Sequence, residues 1–379
     1  MEEDISKYIH ERKKCPLCLS ENISPPIAPH IDLQFPILPV CVDTPVEEDN
    51  FAPFNICICD HCGLILLREI VDPEILYKIF HSDGIGKVWD EHYSKFAELI
   101  KKHCPEGKIL EIGAGQGKLI TKLLQKYSSG IEVIDPLYQG PTDNVKVHRE
   151  LLNDSVCQGL VEQFDAVVSS HTLEHFIEFN EYFKNAWKIL KKDGLLCTSI
   201  PNQELGFLRG YGNQLNFEHP SICLNPHWNL LHYQNGFEIK EISFFRDHSI
   251  QFVAKKIDKK IEHEVNIKEF SEKVVEQYAN SISERIDKIK QFAKPDKENW
   301  LFGASNLSQP LFVYGLKEDY FKGVLDNSPL KHNKRLYGTN LICKNPEEIV
   351  KKGSDLRIFL NIAHYNKEVF DQIKNLDSS

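Results

Sequence analysis

The chain has 379 residues, of which 41% are hydrophobic and 26% charged, and its formal net charge is −10. This length suits two or three domains, and the composition is that of a globular protein. The negative charge argues against nucleic acid as a partner, because nucleic-acid binding needs a positive surface. No apolar run is long enough to cross a bilayer, so we also expect no membrane partner.

The N-terminus, Met1-Glu2-Glu3-Asp4, is acidic and lacks the apolar segment of a secretory signal. We therefore expect a cytoplasmic protein. Its 11 cysteines are then expected to be reduced thiols, some of them metal ligands, rather than disulfides.

The first predicted unit, residues 1–75, is rich in proline and cysteine and has a long loop from Ser24 to Phe54. It carries two C-x-x-C pairs, formed by Cys15, Cys18, Cys59 and Cys62. Four thiolates can bind one zinc ion tetrahedrally, and such a closed site is structural rather than catalytic.

Two alternatives to this zinc site stay open. The thiols could be reduced and unliganded, whereas a redox pair is disfavoured because neither pair lies in a thioredoxin-like context. Cys57 and His61 lie beside the second pair and could replace one of its ligands.

The second unit, residues 76–258, begins with a helical segment over Asp90–His103. An apolar strand then enters Gly113-Ala114-Gly115-Gln116-Gly117, and Lys118–Lys126 has helical periodicity. Glycines allow a tight turn and let a ligand approach bare amides. A lone glycine-rich turn is weak support, since nucleotide-binding dehydrogenases carry a similar one and such a turn can lack a ligand.

The next strands also end in polar residues. Gly130–Asp135 ends in a carboxylate that can accept hydrogen bonds from ribose hydroxyls, and Phe164–His171 ends in Ser170 and His171. Ligands of open α/β sheets bind at these carboxyl ends. Then follow Thr172-Leu173-Glu174-His175-Phe176, a helix, a turn at Asp193-Gly194 and a strand over Leu195–Asn202.

This ordered series resembles class I methyltransferases, which bind S-adenosylmethionine. The glycine motif with an acid before its first glycine resembles their motif I. The predicted cofactor-binding residues are Glu111, Gly113, Ala114, Gly115, Gly117, Asp135, Ser170 and His171.

Three histidines could act as the base that methyl transfer needs: His171, His175 and His219. His219 follows Glu218, a carboxylate that could orient it. His171 and His175 could instead cap a helix or pack against the cofactor. Glu174 could be only a carboxylate that the N-terminus of the next helix favours.

The third unit, residues 259–379, begins with an amphipathic stretch over Val265–Phe292. Strands are then predicted at Trp300–Phe302, Phe321–Leu325 and Leu356–Ile362, in a second nucleotide-fold-like pattern.

Taken together, the chain resembles the three-domain sugar C-methyltransferases, which act on nucleotide-linked 4-keto-deoxysugars, typically at C3. That family has an N-terminal zinc-binding domain, a class I methyltransferase domain of Rossmann-like α/β fold, and a C-terminal Rossmann-like α/β domain. The matching segments are the two cysteine pairs, Glu111–Gly117, His171–His175, Glu218-His219, Gly303-Ala304, Asp326–Lys331 and Tyr337–Asn340.

The resemblance implies S-adenosylmethionine and a structural zinc ion as cofactors, and a nucleotide-linked sugar as the small-molecule substrate. His219, assisted by Glu218, would remove the proton α to the sugar ketone, and His175 would stabilise the resulting oxyanion. We expect a monomer or a weak oligomer.

The chain departs from the family pattern at several positions. Asn216 replaces a tyrosine, Ile222-Cys223-Leu224 replaces an aromatic and serine segment, and Leu307-Ser308 stands where lysine and glycine are usual. The approach helix keeps Tyr77, Ser82 and His92 but has Phe80 near a usual tyrosine. These changed residues would line an acceptor pocket.

The alternative is therefore an O- or N-methyltransferase for a small phosphorylated or nucleotide-linked metabolite of glycan modification. A non-catalytic binding module is a third possibility, which the intact motifs disfavour.

Overall fold

A computed structural model describes residues 5–27, 29, 33–77, 84, 86–128, 130–214, 216–294, 296–351 and 355–378. Phe80 and Ser82 of the predicted approach helix lie outside these residues. Within the described ranges, no helix combines the length and the apolar character needed to span a membrane.

The N-terminal part is built from short strands: β1 (Ile9–Glu11), β2 (Gln34–Pro36), β3 (Cys41–Val42), β4 (Phe51–Pro53), β5 (Ile56–Ile58), β6 (Ile65–Leu67) and β7 (Glu69–Val71). β1 pairs with β7, β2 with β4, and β5 with β6, all antiparallel.

The predicted loop from Ser24 to Phe54 is therefore wrong in part, because β2, β3 and β4 lie within it. Strands of two or three residues are too short to show an alternating pattern. In addition, β3 pairs with a strand almost 300 residues later, a partner that a local pattern cannot reveal.

The central part alternates helices and strands: α1 (Pro73–Leu76), α2 (Lys87–His103), β8 (Ile109–Ile112), α3 (Lys118–Leu124), β9 (Ile131–Ile134), β10 (Val145–His148), α4 (Asp154–Gln158), β11 (Phe164–Ser170), α5 (Phe179–Ile189), β12 (Leu190–Pro201), α6 (Gln203–Leu208), β13 (Ser221–Ile222), α7 (Asn225–Gln234), β14 (Phe237–Phe245) and β15 (Ser249–Lys256). Seven of these strands form one sheet in the order β10-β9-β8-β11-β12-β15-β14. Its first five strands are parallel, and β15 and β14 are antiparallel.

Helices cover both faces of this sheet. Phe96 and Ile100 of α2 belong to an apolar core on one face, and Phe183 of α5 and Trp228 of α7 belong to the core on the other. Because both faces are covered, the inner strands β8, β9 and β11 are mostly apolar and buried, whereas the edge strand β10 alternates apolar and polar residues. The carboxyl ends of β8, β9 and β11 lie at one edge because these strands are parallel, and ligands of such sheets bind at that edge.

The predicted turn at Asp193-Gly194 lies within β12 instead of before it. The pairing of β12 with β11 jumps from Leu190 opposite Phe164 to Leu195 opposite Ala166. Asp193 has a φ of 62° inside this bulge. An Asp-Gly pair is a turn signal, but pairing on both sides of it holds the segment against β11.

The C-terminal part contains α8 (Lys268–Phe292), β16 (Glu298–Phe302), α9 (Gln309–Val313), β17 (Gly323–Leu325), β18 (Arg335–Leu336), β19 (Cys343–Lys344), α10 (Pro346–Ile349), β20 (Leu356–Leu360) and α11 (Asn366–Ser378). β19, β17, β16 and β20 form a parallel sheet in that order, and it includes the three strands predicted for this part.

The three predicted units share apolar cores. One cluster of buried residues joins Phe35 of β2, Phe217 of the central part, Tyr278 of α8 and Leu336 of β18. β13 also pairs with β6 of the N-terminal part. The unit boundaries stay predictions, and the described contacts across them are extensive.

Candidate active site and cysteine cluster

The glycine-rich loop between β8 and α3 has the backbone geometry that only glycine adopts easily. Gly113, Gly115 and Gly117 have φ values of 71°, 51° and 67°. A Cβ atom on Gly113 would lie 2.3 Å from Thr172 Cγ2, and one on Gly117 would lie 2.7 Å from the Cα atom of Gly140. The loop is thus held close to the segment after β11.

Asp135, the carboxylate at the end of β9, anchors this loop. Its Oδ2 accepts a hydrogen bond from the Gly115 amide at 2.7 Å, and its Oδ1 accepts one from the Leu137 amide at 2.7 Å. Each carboxylate oxygen keeps a second lone pair, so Asp135 can still accept bonds from ribose hydroxyls.

The other predicted cofactor residues lie around the same edge of the sheet. Glu111 is buried in β8, and Ala114 is buried in the loop. The Ser170 hydroxyl, at the carboxyl end of β11, is buried and has no hydrogen-bond partner among the described residues. A buried hydroxyl without a partner is costly unless a ligand satisfies it, so this edge fits a polar cofactor.

Thr172 links the end of β11 to the glycine loop. Its Oγ1 donates to the Gly113 carbonyl at 3.1 Å and lies 3.3 Å from the Ser170 carbonyl. The 3-10 turn over Leu173–His175 follows directly, and this places Glu174 and His175 beside the loop.

His219 and His175 come together although they lie on different loops. Their ring centroids are 4.8 Å apart, and polar side-chain atoms of both lie within 4.8 Å of a Glu174 oxygen. Tyr77 Oη lies 3.0 Å from His175 Nδ1. Tyr77, Glu174, His175, Glu218 and His219 are called the acceptor cluster below.

Burial sets the protonation states in the acceptor cluster. It lowers the pKa of His219 to about 4, so the imidazole is neutral at neutral pH. It raises the pKa of Glu174 to about 8. Burial, together with the charges of Glu218 and Glu174, raises the pKa of Tyr77 well above its usual value, so Tyr77 keeps its proton.

Asn216 shapes the turn that presents the Glu218-His219 pair. Its Oδ1 accepts hydrogen bonds from the amides of Glu218 and His219, at 2.8 and 3.2 Å. Its Nδ2 donates to the Asn213 carbonyl at 3.2 Å. A tyrosine side chain has no carbonyl oxygen that could accept these two amide hydrogen bonds. Asn216, which departs from the family pattern, therefore has a structural role in this turn.

A second group of histidines lies next to the acceptor cluster. His92, His171 and His248, the histidine cluster below, have ring centroids 5.2 to 5.3 Å apart. Burial lowers the pKa of His92 to about 3 and that of His248 to about 2. Serine hydroxyls bond all three: His92 Nε2 contacts Ser199 Oγ at 2.8 Å, and Ser249 Oγ contacts the other two.

The four predicted thiol ligands converge. Cys15 and Cys62 have their Sγ atoms 3.7 Å apart, and those of Cys18 and Cys59 are 3.5 Å apart. Tetrahedral zinc with Zn–S bonds of about 2.3 Å would place thiolates about 3.8 Å apart. Neither Cys57 nor His61 belongs to this group.

The cysteine cluster is tied to the rest of the molecule. His227 Nε2 in α7 lies 3.1 Å from the Cys62 carbonyl, and Ser271 Oγ in α8 donates to the Gly63 carbonyl at 2.6 Å. Asn180 Nδ2 in α5 donates to the Pro16 carbonyl at 3.2 Å. The cluster therefore fixes three helices to the N-terminal part.

Residues 87–264 match a protein family described as "Methyltransferase domain". This segment is a class I S-adenosylmethionine-dependent methyltransferase domain. It contains the glycine loop, the sheet and every residue of the acceptor cluster except Tyr77.

Two further proteins are similar to part of this chain. "Ubiquinone biosynthesis O-methyltransferase, mitochondrial" of Bos taurus is 29% identical over 120 residues, which are 27% of this chain and 31% of that protein. "Hybrid PKS-NRPS synthetase poxE" of Penicillium oxalicum is 26% identical over 165 residues, which are 38% of this chain and 4% of that protein. The chain thus spans less than a third of the length of these relatives.

Solved structures resemble the chain over a similar share. Burkholderia thailandensis 1,6-didemethyltoxoflavin-N1-methyltransferase is 17% identical, with a TM-score of 0.35, and covers 45% of this chain and 82% of its own. The trans-methyltransferase CalH, in complex with S-adenosylhomocysteine, is 22% identical, with a TM-score of 0.34, over 44% of this chain and 59% of its own.

Sequence reasoning gave no chemical role to several residues around the methyltransferase domain's site. The sequence places Tyr77 only in an approach helix and Glu174 only at a helix N-terminus, and it predicts no role for His248. A sequence signal for it exists: His248 directly precedes β15, and that strand begins opposite the carboxyl end of β12.

Proposed function

We propose that this protein transfers a methyl group from S-adenosylmethionine to carbon of a nucleotide-linked keto-sugar in deoxysugar or surface-glycan synthesis. The observation that carries this is the convergence of His219, His175, Glu174 and Tyr77 beside the glycine loop. Removing a proton next to a ketone needs a base and an oxyanion donor together, and the acceptor cluster supplies both.

The residues predicted to hold the cofactor fit it. Gly113, Gly115 and Gly117 leave room for its methionine portion, and Asp135 and the Ser170 hydroxyl offer polar contacts at the same edge. Bound there, S-adenosylmethionine supplies an electrophilic methyl group.

His219 is the base in this proposal. Its imidazole is neutral, as a base must be, and Glu218 precedes it and assists it. His175 stabilises the developing oxyanion, with Tyr77 as a protonated hydroxyl on its Nδ1 side at 3.0 Å. Glu174 beside them is 2% exposed, so water screens its interactions with the two histidines little.

Zinc in the four-cysteine cluster is part of the proposal. Four thiols at tetrahedral spacing form a closed structural site in residues 1–75. Residues 76–258 then form the catalytic domain, and residues 259–379 a helix and a Rossmann-like domain that completes the sugar site. The partner is a small molecule, and the protein works as a monomer or weak oligomer.

A second function, O- or N-methyl transfer to a small phosphorylated or nucleotide-linked metabolite, is favoured by Asn216. That side chain is used for a backbone turn and so cannot provide the phenol of the family pattern. Resemblance to a ubiquinone biosynthesis O-methyltransferase over 27% of this chain points the same way.

Proton NMR in deuterated buffer separates the two functions. With S-adenosylhomocysteine in place of the methyl donor, wild type should exchange the α-proton of a thymidine-diphosphate 4-keto-6-deoxyhexose, and His219→Ala should not. His232→Ala, a change at a buried histidine elsewhere in the domain, is the matched control and should exchange normally.

Each other outcome is informative. Equal exchange in wild type and His219→Ala would remove His219 from the role of base. Methyl transfer without carbon-bound exchange would favour the O- or N-methyltransferase. Wild type that does not bind S-adenosylhomocysteine in calorimetry would contradict both functions and leave the binding module.

A further inference from the structure

The histidine cluster and the acceptor cluster are joined through one buried carboxyl group. Glu174 Oε1 lies 3.6 Å from His171 Nδ1 on one side and 4.0 Å from His175 Nε2 on the other. Its side chain is 2% exposed, and its Oε2 has no hydrogen-bond partner among the described residues. A glutamate carboxyl turns readily about its last bond, so it can bond to either histidine.

From His171 a series of polar contacts continues away from the acceptor cluster. His171 Nε2 contacts Ser249 Oγ at 2.8 Å, and Ser249 Oγ contacts His248 Nδ1 at 2.5 Å. His248 Nε2 contacts Tyr365 Oη of the C-terminal part at 3.0 Å. Tyr365 is half-buried, so the series runs from the buried cluster toward the surface.

We propose that Glu174, His171, Ser249, His248 and Tyr365 form a proton relay that carries the proton released by methyl transfer out of the buried site. This rests on the proposed function, because the relay serves the base His219. Glu174 is the first group to take up the proton from His219, and Tyr365 of the C-terminal part releases a proton to water.

The reaction requires such an exit. The acceptor's C–H bond breaks, its electron pair forms the new bond to the methyl carbon, and the pair of the C–S bond stays on sulfur. The proton passes to His219, then to the Glu174 carboxylate within 4.8 Å, and then to His171. His171 gains this proton at Nδ1 as it gives the proton on Nε2 to Ser249, and Ser249 gives its own proton to His248 Nδ1. His248 gives its Nε2 proton to Tyr365, which releases its own to water, so no imidazolium has to form.

The surroundings of the two groups favour this direction of transfer. Burial lowers the pKa of His219 to about 4 and raises the pKa of Glu174 to about 8. A proton therefore binds more tightly to Glu174 than to His219. The titratable groups facing Glu174 are His171, His175, His219, Tyr77 and Tyr182. Burial lowers the pKa of His171 and His219 and raises that of Tyr182, so these three neighbours of Glu174 are neutral at neutral pH.

Glu174→Gln tests the relay, since it keeps the size of the side chain but cannot take up a proton. Initial rates with the thymidine-diphosphate 4-keto-6-deoxyhexose and labelled S-adenosylmethionine are measured from pH 6 to 10. The wild-type kcat should rise with pH through about 8, because the carboxylate form of Glu174 is the acceptor. Glu174→Gln should lose this rise and lose at least tenfold in kcat at pH 9, with the acceptor KM changed less than threefold.

Matched variants separate the relay from a structural effect. Tyr365→Phe removes the outlet hydroxyl and should lower kcat about threefold or more, while Tyr320→Phe in the same part should not. His92→Gln removes an imidazole from the histidine cluster but not from the relay, so it should keep the wild-type pH profile. A Glu174→Gln enzyme that still shows the rise through pH 8 would overturn the relay.

Infrared spectroscopy of the protein without a sugar substrate tests the relay even if the proposed function is wrong. The infrared C=O band of a protonated carboxyl group should titrate near pH 8 in wild type, be absent in Glu174→Gln, and shift its midpoint in His171→Gln. A Glu174 band that titrates below pH 6, or one that His171→Gln leaves unchanged, would contradict the relay. Failure of the proposed function would instead appear as wild type that forms no methylated sugar.

Discussion

Single side chains around the candidate site owe their properties to burial more than to their type. Burial drives the pKa values of His219 and Glu174 in opposite directions. The charged form of each group is the costly one in a medium of low polarity. Environment therefore leaves His219 neutral and favours the protonated form of Glu174 at neutral pH.

At Gly115, we predict that substitution by valine abolishes most cofactor binding. Gly115 has a φ of 51°, a conformation that a β-branched residue resists, and its amide is bonded to Asp135. The affinity for S-adenosylhomocysteine should fall more than tenfold, or about 1.4 kcal/mol, by calorimetry. Gly159→Ala is the control, because that glycine has a φ of −75° and its added Cβ would meet only Val156 O at 3.7 Å. Folded Gly115→Val protein with wild-type affinity would show that the site lies elsewhere.

For His232, we predict a contribution to acid sensitivity. Burial lowers its pKa to about 4, whereas an unfolded histidine titrates near 6.5, so the unfolded state binds the extra proton between these values. The free energy of unfolding should therefore fall as the pH drops from 6.5 to 4, with His232 contributing up to about 1.4 kcal/mol per pH unit. Urea unfolding at several pH values should show a shallower loss in His232→Gln. The same change at exposed His263 should leave the slope unaltered, and equal slopes in all three proteins would contradict the prediction.

At the level of elements, the cysteine cluster connects the N-terminal part to three helices. Its two turns receive contacts from α5, α7 and α8, through Asn180, His227 and Ser271. A metal ion that holds the four thiols would thus also fix the positions of three helices. Folding of the N-terminal part should be coupled to metal binding.

Cys15→Ser should therefore lose both metal and stability. We predict about one equivalent of zinc in freshly purified wild type and much less in Cys15→Ser, with a lower melting temperature, by metal analysis and calorimetry. Cys57→Ser is the matched control, because Cys57 is equally buried but lies outside the cluster. Wild type purified without chelators and free of zinc would exclude the site, and zinc loss in Cys57→Ser would make Cys57 a ligand.

On the scale of the whole molecule, a buried ion pair joins the N-terminal and C-terminal parts. Arg335 bonds both oxygens of Asp49 at 2.6 and 2.7 Å, across 286 residues of sequence. Their side chains are 8% and 0% exposed. Arg335 also donates to the Thr44 and Thr339 carbonyls, and these bonds satisfy the buried guanidinium.

Breaking this pair should destabilise the protein strongly. Asp49→Ala leaves a buried guanidinium without its counter-charge, and we predict a loss of about 3 to 5 kcal/mol in urea unfolding of the full chain. Asp371→Ala breaks the exposed pair with Lys367 and should cost less than about 1 kcal/mol. A cost for Asp49→Ala no larger than that of Asp371→Ala would mean that the two ends are joined by other contacts.

The sequence by itself determined the features that depend on neighbouring residues. The strand–glycine loop–helix segment after Ile109, the acid at Asp135, the polar end of β11 and the spacing within each cysteine pair follow from local pattern, and the described structure contains them. Local pattern suffices because a tight turn or a buried parallel strand imposes its own residue preferences.

Only the tertiary structure decided what depends on distant residues. Tyr77 meets His175 across 98 positions, β3 pairs with β18, and Glu174 acquires its raised pKa from the atoms that bury it. A strand of two residues is too short to show a pattern of alternating apolar and polar residues. Glu174 exposed to water would have the pKa of an ordinary glutamate. Pairing and desolvation are properties of the packed chain, so they could not be predicted from residue type and spacing.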